Sequence, residues 1–401
     1  MKKIYWKPRG ISRAALALVS IISLISLFSV ETLLTKKRQP YYKAKMKASQ
    51  LASQAMQTIK DVRDATIEEN EQSAVTTQPK VTSMTKISPS DEEADPAQTG
   101  MIGLLTSPVT SDSASLSAKQ TSVNPNFAAA IVQMLKKAGM KDGDLVAVGC
   151  TGSFPALNIC TYAAINTLNL KPVIISSAAS SQWGANDPEF LWLDMEKVLY
   201  ERDVFPYRSV AASLGGVEDK AIGISNLGKR KLTDGIKRNA IRMINSKDYL
   251  NSIEQRMSIY QEHAGDLPIK AYINVGGGTV SVGTRWGKRT FEPGLNLRKP
   301  TGGRYYDSVM TRFIDDGIPV IHLAGIERLA IKYGLPLQPA SLPIPGEGEI
   351  FYRAEYNKWL AGSVLLIIVI SMYVLIRSGL GHRLIQTKST DKDKLFHEPT
   401  V

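Results

Sequence analysis

Apolar residues are distributed along this chain in two ways. At each end lies an unbroken apolar run, Ala14–Val30 and Trp359–Ile376, without a charged side chain. Between them, short apolar bursts alternate with stretches of helical spacing. The bursts "DLVAVG", "PVIIS", "KAYINV" and "IPVIHL" read as buried strands. The stretches "NFAAAIVQMLKKAG", "PALNICTYAAINTL", "PEFLWLDMEKVLYE", "KRKLTDGIKRNAIRMI", "DYLNSIEQRMSIYQEH" and "GIERLAIKYG" read as helices. Strands alternating with longer helices predict βαβ units. The expected fold class is therefore α/β, a mostly parallel Rossmann-like sheet between an N-terminal and a C-terminal transmembrane helix.

Each terminal run is about as long as a helix that crosses a bilayer core of ~30 Å. The expected organisation is a tail at 1–13, a membrane helix at 14–34 and a basic amphipathic helix at 35–68. A polar linker at 69–100 leads to the α/β domain at 101–345. A juxtamembrane segment at 346–358, a second membrane helix at 359–376 and a tail at 377–401 complete the chain. Arg377, Arg383, Lys388, Lys392 and Lys394 follow the second run, which predicts cytoplasmic termini and an exported domain. The first run is basic on both sides and does not decide orientation. It is longer than a signal-peptide core and no A-x-A-like site follows it, so it reads as a retained anchor. Ser20, Ser23, Ser26 and Ser29 recur every third residue along it, either as ordinary small residues or as a close-packing strip.

The net charge of +12 suits anionic membrane lipid and an acidic ligand. No zinc spacing, aromatic platform or basic recognition helix points to nucleic acid. Two cysteines, Cys150 and Cys160, are too few for a disulfide framework and read as separate buried thiols, or as a pair in an exported domain. No motif calls for a metal or a cofactor.

Open parallel sheets bind ligands at the carboxyl ends of their strands, and the unusual residues fall there. In "VGCTGSFPALN" a strand gives way to a helix beginning near Pro155. Three readings of this loop stay open: Ser153 caps the helix, Thr151, Gly152 and Ser153 cradle an anion, or Ser153 is a nucleophile. The last needs partners, for which His322 and Asp187, or Asp219, are the candidates. "INVGGGTVSVGTRWGKR" places Gly276, Gly277 and Gly278 after a strand, as a tight hairpin or a phosphate-approaching turn. In "SLGGVEDKAIGIS", Glu218 and Asp219 beside glycines suggest a cation site or a base. Arg285, Lys288, Arg289, Arg298, Lys299, Arg304 and Arg312 make a basic run opposed only by Glu292 and Asp307. It is a solvated face or a stripe for a polyanion, with Arg298, Lys299 and Arg304 flanking a flexible turn.

With these segments in place, the chain resembles the poly-γ-glutamate system protein family. The resemblance rests on "VGCTGSFPALN", "SLGGVEDKAIGIS", "YINVGGGTVSVG" and the anchor–domain–anchor layout, and covers about Ile11 to Ile376. It implies a membrane-anchored accessory protein of bacterial poly-γ-glutamate synthesis, working beside an ATP-dependent amide ligase and the membrane subunits of the synthase. It assigns no catalytic residue. Three functions follow: an accessory subunit that handles the anionic polymer, a membrane-tethered hydrolase or transferase acting on amide-linked glutamate, or an exported small-anion-binding protein.

Overall fold

The structure is a computed structural model that describes residues 13–76, 93–284, 290–300 and 306–377. The chain starts with helix α1 (Arg13–Thr32) and strand β1 (Leu34–Arg38). Helices α2 (Tyr42–Thr76), α3 (Leu116–Ser122) and α4 (Phe127–Lys137) precede the main sheet. Strand β2 (Leu145–Thr151), helix α5 (Pro155–Thr167) and strand β3 (Lys171–Ser177) form its first βαβ unit. A small ribbon of β4 (Asn186–Asp187) and β5 (Phe190–Leu191) leads to α6 (Trp192–Glu201). Next come β6 (Ala211–Ser213), α7 (Asn226–Arg238), β7 (Arg242–Met243) and α8 (Tyr249–Ala264). Strand β8 (Ile269–Val275), the short α9 (Thr279–Val282) and β9 (Gly294–Asn296) follow. The order ends with α10 (Val309–Asp315), β10 (Val320–Leu323), α11 (Ile326–Tyr333), β11 (Tyr352–Tyr356) and α12 (Lys358–Arg377).

Two compact units result, one of Met1–Arg38 with Tyr352–Val401 and one of Gln39–Phe351. In the first, β1 and β11 pair antiparallel from Leu34↔Tyr356 to Arg38↔Tyr352. Helices α1 and α12 lie side by side. Ser26 is buried and Ser23 and Ser29 are half-buried while Ser20 is exposed, so the serine repeat largely follows the covered face. Leu24, Phe28 and Leu365 are all more than half exposed. Among the described residues no helix is long and apolar enough to cross a membrane.

The second unit is an α/β domain around a seven-stranded sheet in the order β7-β6-β3-β2-β8-β10-β9. Every pairing is parallel except β10 with β9. The central strand β2 is buried along six of its residues, which is why its sequence is a continuous apolar run rather than an alternating one. From β2 the chain winds outward through β3, β6 and β7. It then returns to the other side of β2 with β8 and continues to β10. One face of the sheet is filled by α8 and α10, where Tyr272 stacks on Phe313 at 4.6 Å and Tyr260 meets both edge-on. Helices α4 and α5 pack on each other, and α2 packs across both.

Helix α2 corrects the expected basic amphipathic helix at 35–68. It begins at Tyr42, after a strand, and buries Ala48, Ala52, Ala55, Met56 and Ile59 within the domain. Its basic start is not free for lipid throughout, because the buried Lys45 donates to Gln133 Oε1 (2.6 Å) and Ile350 O (2.9 Å). Burial, with the nearby Lys137 charge, lowers the Lys45 pKa to about 8. The segment read as a polar linker is folded where described: 69–76 continue α2, and the Asp95 carboxylate accepts from Thr99 Oγ1 and Gly100 N. Residues 77–92 of that segment lie outside the described residues. Cys150 and Cys160 are buried and unpaired, as expected.

Candidate functional site at the carboxyl edge of the sheet

The winding places a topological switch point between β2 and β8, where the chain leaves neighbouring strands in opposite directions. In this fold class the crevice outside the carboxyl ends at such a point is the usual ligand position. Here it is narrow. A Cβ on Gly276, which has φ +85°, would lie 2.6 Å from Thr151 Cγ2, so the two loops meet. Gly276 N donates to Leu323 O and Asn274 Nδ2 donates to Gly276 O, which fixes the first glycine of the triplet. The triplet does not turn a hairpin, because the chain enters α9 at Thr279.

The loop after β2 is also committed internally. Gly152 N donates to Ser177 O and Ser153 N to Thr151 Oγ1, so neither amide is free for an anion. Ser153 does not cap α5. The residue at the cap position is Phe154, and no side chain caps this helix. Ser153 Oγ instead accepts from Ser181 N at 3.0 Å, joining the loops after β2 and β3.

A residue that sequence reasoning missed sits between these loops. Lys119, on the short helix α3, is 2 % exposed. Its Nζ donates to Ser153 O and to Ser181 Oγ (2.9 Å) and lies 4.3 Å from the centroid of the Phe154 ring. Among the described residues no carboxylate forms an ion pair with it. Burial without a counter-charge lowers its pKa to about 7. In the sequence this lysine is one polar letter in "SLSAKQTS", and only the fold reveals that it points inward. Ser181 is half-buried in "SSAASSQWG", a segment whose small residues carry no periodic signal.

The loop from Ala178 to Asn186 is held from several sides. Ser111 N donates to Ser180 O, Gln182 N to Asp112 O, and Asn186 Nδ2 to Leu104 O. Gly184 is where the packing is tightest: a Cβ there would lie 2.2 Å from Ser180 Oγ, 2.7 Å from Gly152 O and 2.8 Å from Ser153 Cα. Gly184→Ala should therefore destabilise the domain by about 1–3 kcal/mol through overpacking, measured by urea unfolding. A variant as stable as the parent would show that this junction is loose.

The Ser153–His322–Asp187 triad is not assembled. His322 lies on β10, separated from β2 by β8, and its Nδ1 accepts from Asn274 Nδ2 at 3.2 Å. Burial lowers its pKa to about 4, so the imidazole is neutral at pH 7. Asp187 Oδ1 accepts from Glu189 N in the β4–β5 ribbon. No hydrogen bond among the described residues joins these three side chains. Asp219, the other acid considered, is buried against Arg256 rather than facing a cation or a substrate.

In the basic run, Lys299 pairs with Asp315 (2.9 Å) and Arg312 with Asp307 (2.7 Å), while Arg298 is exposed. Arg285, Lys288, Arg289 and Arg304 lie outside the described residues. A surface concavity at the opposite edge is lined by Gly139, Lys141, Asp144, Ile269, Lys270 and Pro319. It faces the amino ends of the strands and gathers no buried polar side chain, so the carboxyl edge is the stronger candidate. Comparison with family models, with curated proteins and with solved structures found no match.

Proposed function

We propose that this protein is a membrane-anchored accessory component of bacterial poly-γ-glutamate biosynthesis or export. It is held in the plasma membrane by its two terminal helices, with both termini cytoplasmic and the α/β domain outside. It works beside the membrane subunits of the synthase and handles the anionic polymer. The observation that carries this reading is where the three segments of the resemblance lie. "VGCTGSFPALN", "SLGGVEDKAIGIS" and "YINVGGGTVSVG" follow or end β2, β6 and β8, and so converge on one edge of one sheet. Glu218 N donates to Thr279 Oγ1, which joins the second segment to the third. Gly276 against Thr151 joins the third to the first. A shared surface is what a common task would need.

The anchoring is supported by the apolar side chains of α1 and α12, several of which are exposed in the chain alone: Leu24 66 %, Phe28 68 % and Leu365 63 %. Burying such surface is worth about 25 cal/mol per Å², a strong drive toward lipid. The chain should stay in the membrane fraction through carbonate extraction, and a variant lacking 14–30 and 359–376 should leave it. An alkaline-phosphatase fusion at Gly265 should be active. Deleting the gene in a producing strain should abolish or sharply reduce polymer, restored by the full chain and not by the variant without anchors. Release of the full chain by carbonate would overturn the anchoring, and unchanged polymer in the deletion strain would overturn the pathway.

A further inference from the structure

We propose that Ser181 and Lys119 form a serine–lysine pair that carries out acyl transfer, with Ser181 Oγ as nucleophile and Lys119 Nζ as its general base. The inference goes beyond the polymer reading and does not depend on it, since the nucleophile and the base lie outside the segments of the resemblance, which contribute only the orienting Ser153 and Phe154.

Nζ and Oγ are 2.9 Å apart, within reach for direct proton transfer. The base is itself oriented: the Ser153 carbonyl accepts a second Nζ proton, and the Phe154 ring lies beneath it. The nucleophile is oriented from the backbone, where Ser181 N donates to Ser153 Oγ. Nucleophile, base and an orienting group thus meet on three separate segments, α3, the loop after β2 and the loop after β3.

A buried ammonium without a counter-ion is unfavourable, and methionine would fill a similar volume without that penalty. The acids on the surrounding elements do not relieve it. Asp112 accepts from Ser113 N, Glu327 on α11 accepts from Ser117 Oγ, and neither pairs with Lys119. Unpaired, the amine is half neutral near pH 7 and so able to take a proton.

The substrate class is an acyl group in amide linkage. Ser181 Oγ bonds to the carbonyl carbon as its proton passes to Lys119 Nζ. The C–N bond then breaks, and the amine leaves with the proton that Lys119 returns. Water attacks the acyl-serine while giving a proton to Lys119, and that proton goes back to Ser181 Oγ as the acid departs. Bonds and protons balance with water as the only co-reactant.

The test uses the full chain in detergent and a fluorophosphonate probe, whose fluoride is displaced by an activated serine. Labelling should map to Ser181, rise as pH increases through about 7, and vanish in Ser181→Ala. Lys119→Met and Lys119→Arg should each slow it by a hundredfold or more, since neither side chain can take the proton. Arginine keeps the charge, so it reports on the base even where the methionine variant fails to fold. If Lys119 were only a tie between loops, labelling of a folded variant would change less than tenfold and the wild-type pH profile would be flat from 6 to 9. Either result, labelling at another residue, or none in the folded parent would overturn the proposal.

Discussion

Replacing Asp219 by alanine should destabilise the α/β domain by about 3–5 kcal/mol, because it strands a buried arginine. Asp219 Oδ2 accepts from Arg256 Nε (2.7 Å) and Ser252 Oγ (2.7 Å), and Oδ1 accepts from Ser213 Oγ (2.9 Å). Arg256 Nη2 adds Ser213 Oγ at 2.9 Å and Ser177 Oγ at 3.2 Å. Exposure of the two charged side chains is only 6 % and 2 %. Burial works against the carboxylate, but the guanidinium charge and the hydrogen bonds outweigh it, and the pKa falls below the ordinary aspartate range. The pair also holds an unusual backbone: Gly215, Gly216, Glu218, Asp219, Ala221 and Gly223 all have positive φ. Removing the carboxylate would therefore loosen the whole loop after β6.

The sign of the pH effect follows from that lowered pKa. Asp219 contributes its stability above the unfolded aspartate pKa near 3.8, and the contribution is lost as pH falls through the lower folded value. Asp219→Ala should lack this acid limb. Joint replacement, Asp219→Leu with Arg256→Met, should recover much of the loss, since apolar residues of similar size can replace a buried pair. Chemical denaturation of the parent and the two variants at pH 7 decides the matter. A loss under 1 kcal/mol for the single alanine variant would mean that water reaches the arginine and that the network is not closed.

How much of this was legible beforehand depends on what carries the signal. The buried strands were legible because β2, β3, β8 and β10 are dense in β-branched residues and lie among long helices. Strand β6 was not, since "AAS" is too short to show a period, and β9 was hidden in a glycine-rich stretch. The hairpin considered at Gly276–Gly278 does not form, although the β-branched "TVSV" after the glycines suits a strand. It coils into one helical turn that packs near α10, with Val280 and Val282 buried. The glycine-rich loops do lie at the carboxyl edge of the sheet, where the strand pattern placed them. Lys119 was not singled out, because a lysine's burial depends on what covers it. The loop that covers Lys119 comes from "SSAASSQWG", where nothing but composition marks it. The same limit affected Ser153, for which a cap was one of three open readings and whose hydroxyl instead accepts from Ser181 N.

The buried lysine makes its own thermodynamic prediction, separate from any chemistry it performs. Its folded pKa of about 7 lies below the ordinary lysine value of 10.5. Between those values the unfolded chain holds a proton that the native state has released, so stability due to Lys119 rises with pH across that interval. Below pH 7 the full penalty of burying the ammonium applies. From pH 7 to 9 the relief should amount to roughly 2 kcal/mol, at up to 1.36 kcal/mol per pH unit. Other groups titrate in the same range and act differently. Lys45 works in the same direction, whereas Cys150, Cys160 and the buried tyrosines have raised pKa values and oppose it at higher pH. The useful quantity is therefore the difference between the parent and Lys119→Met, in which those contributions cancel. The methionine variant should be more stable than the parent at pH 7, and the gap should narrow steadily toward pH 9. A gap that stays constant with pH would mean that Lys119 keeps its proton throughout, and it would remove the physical basis for the lysine as a base.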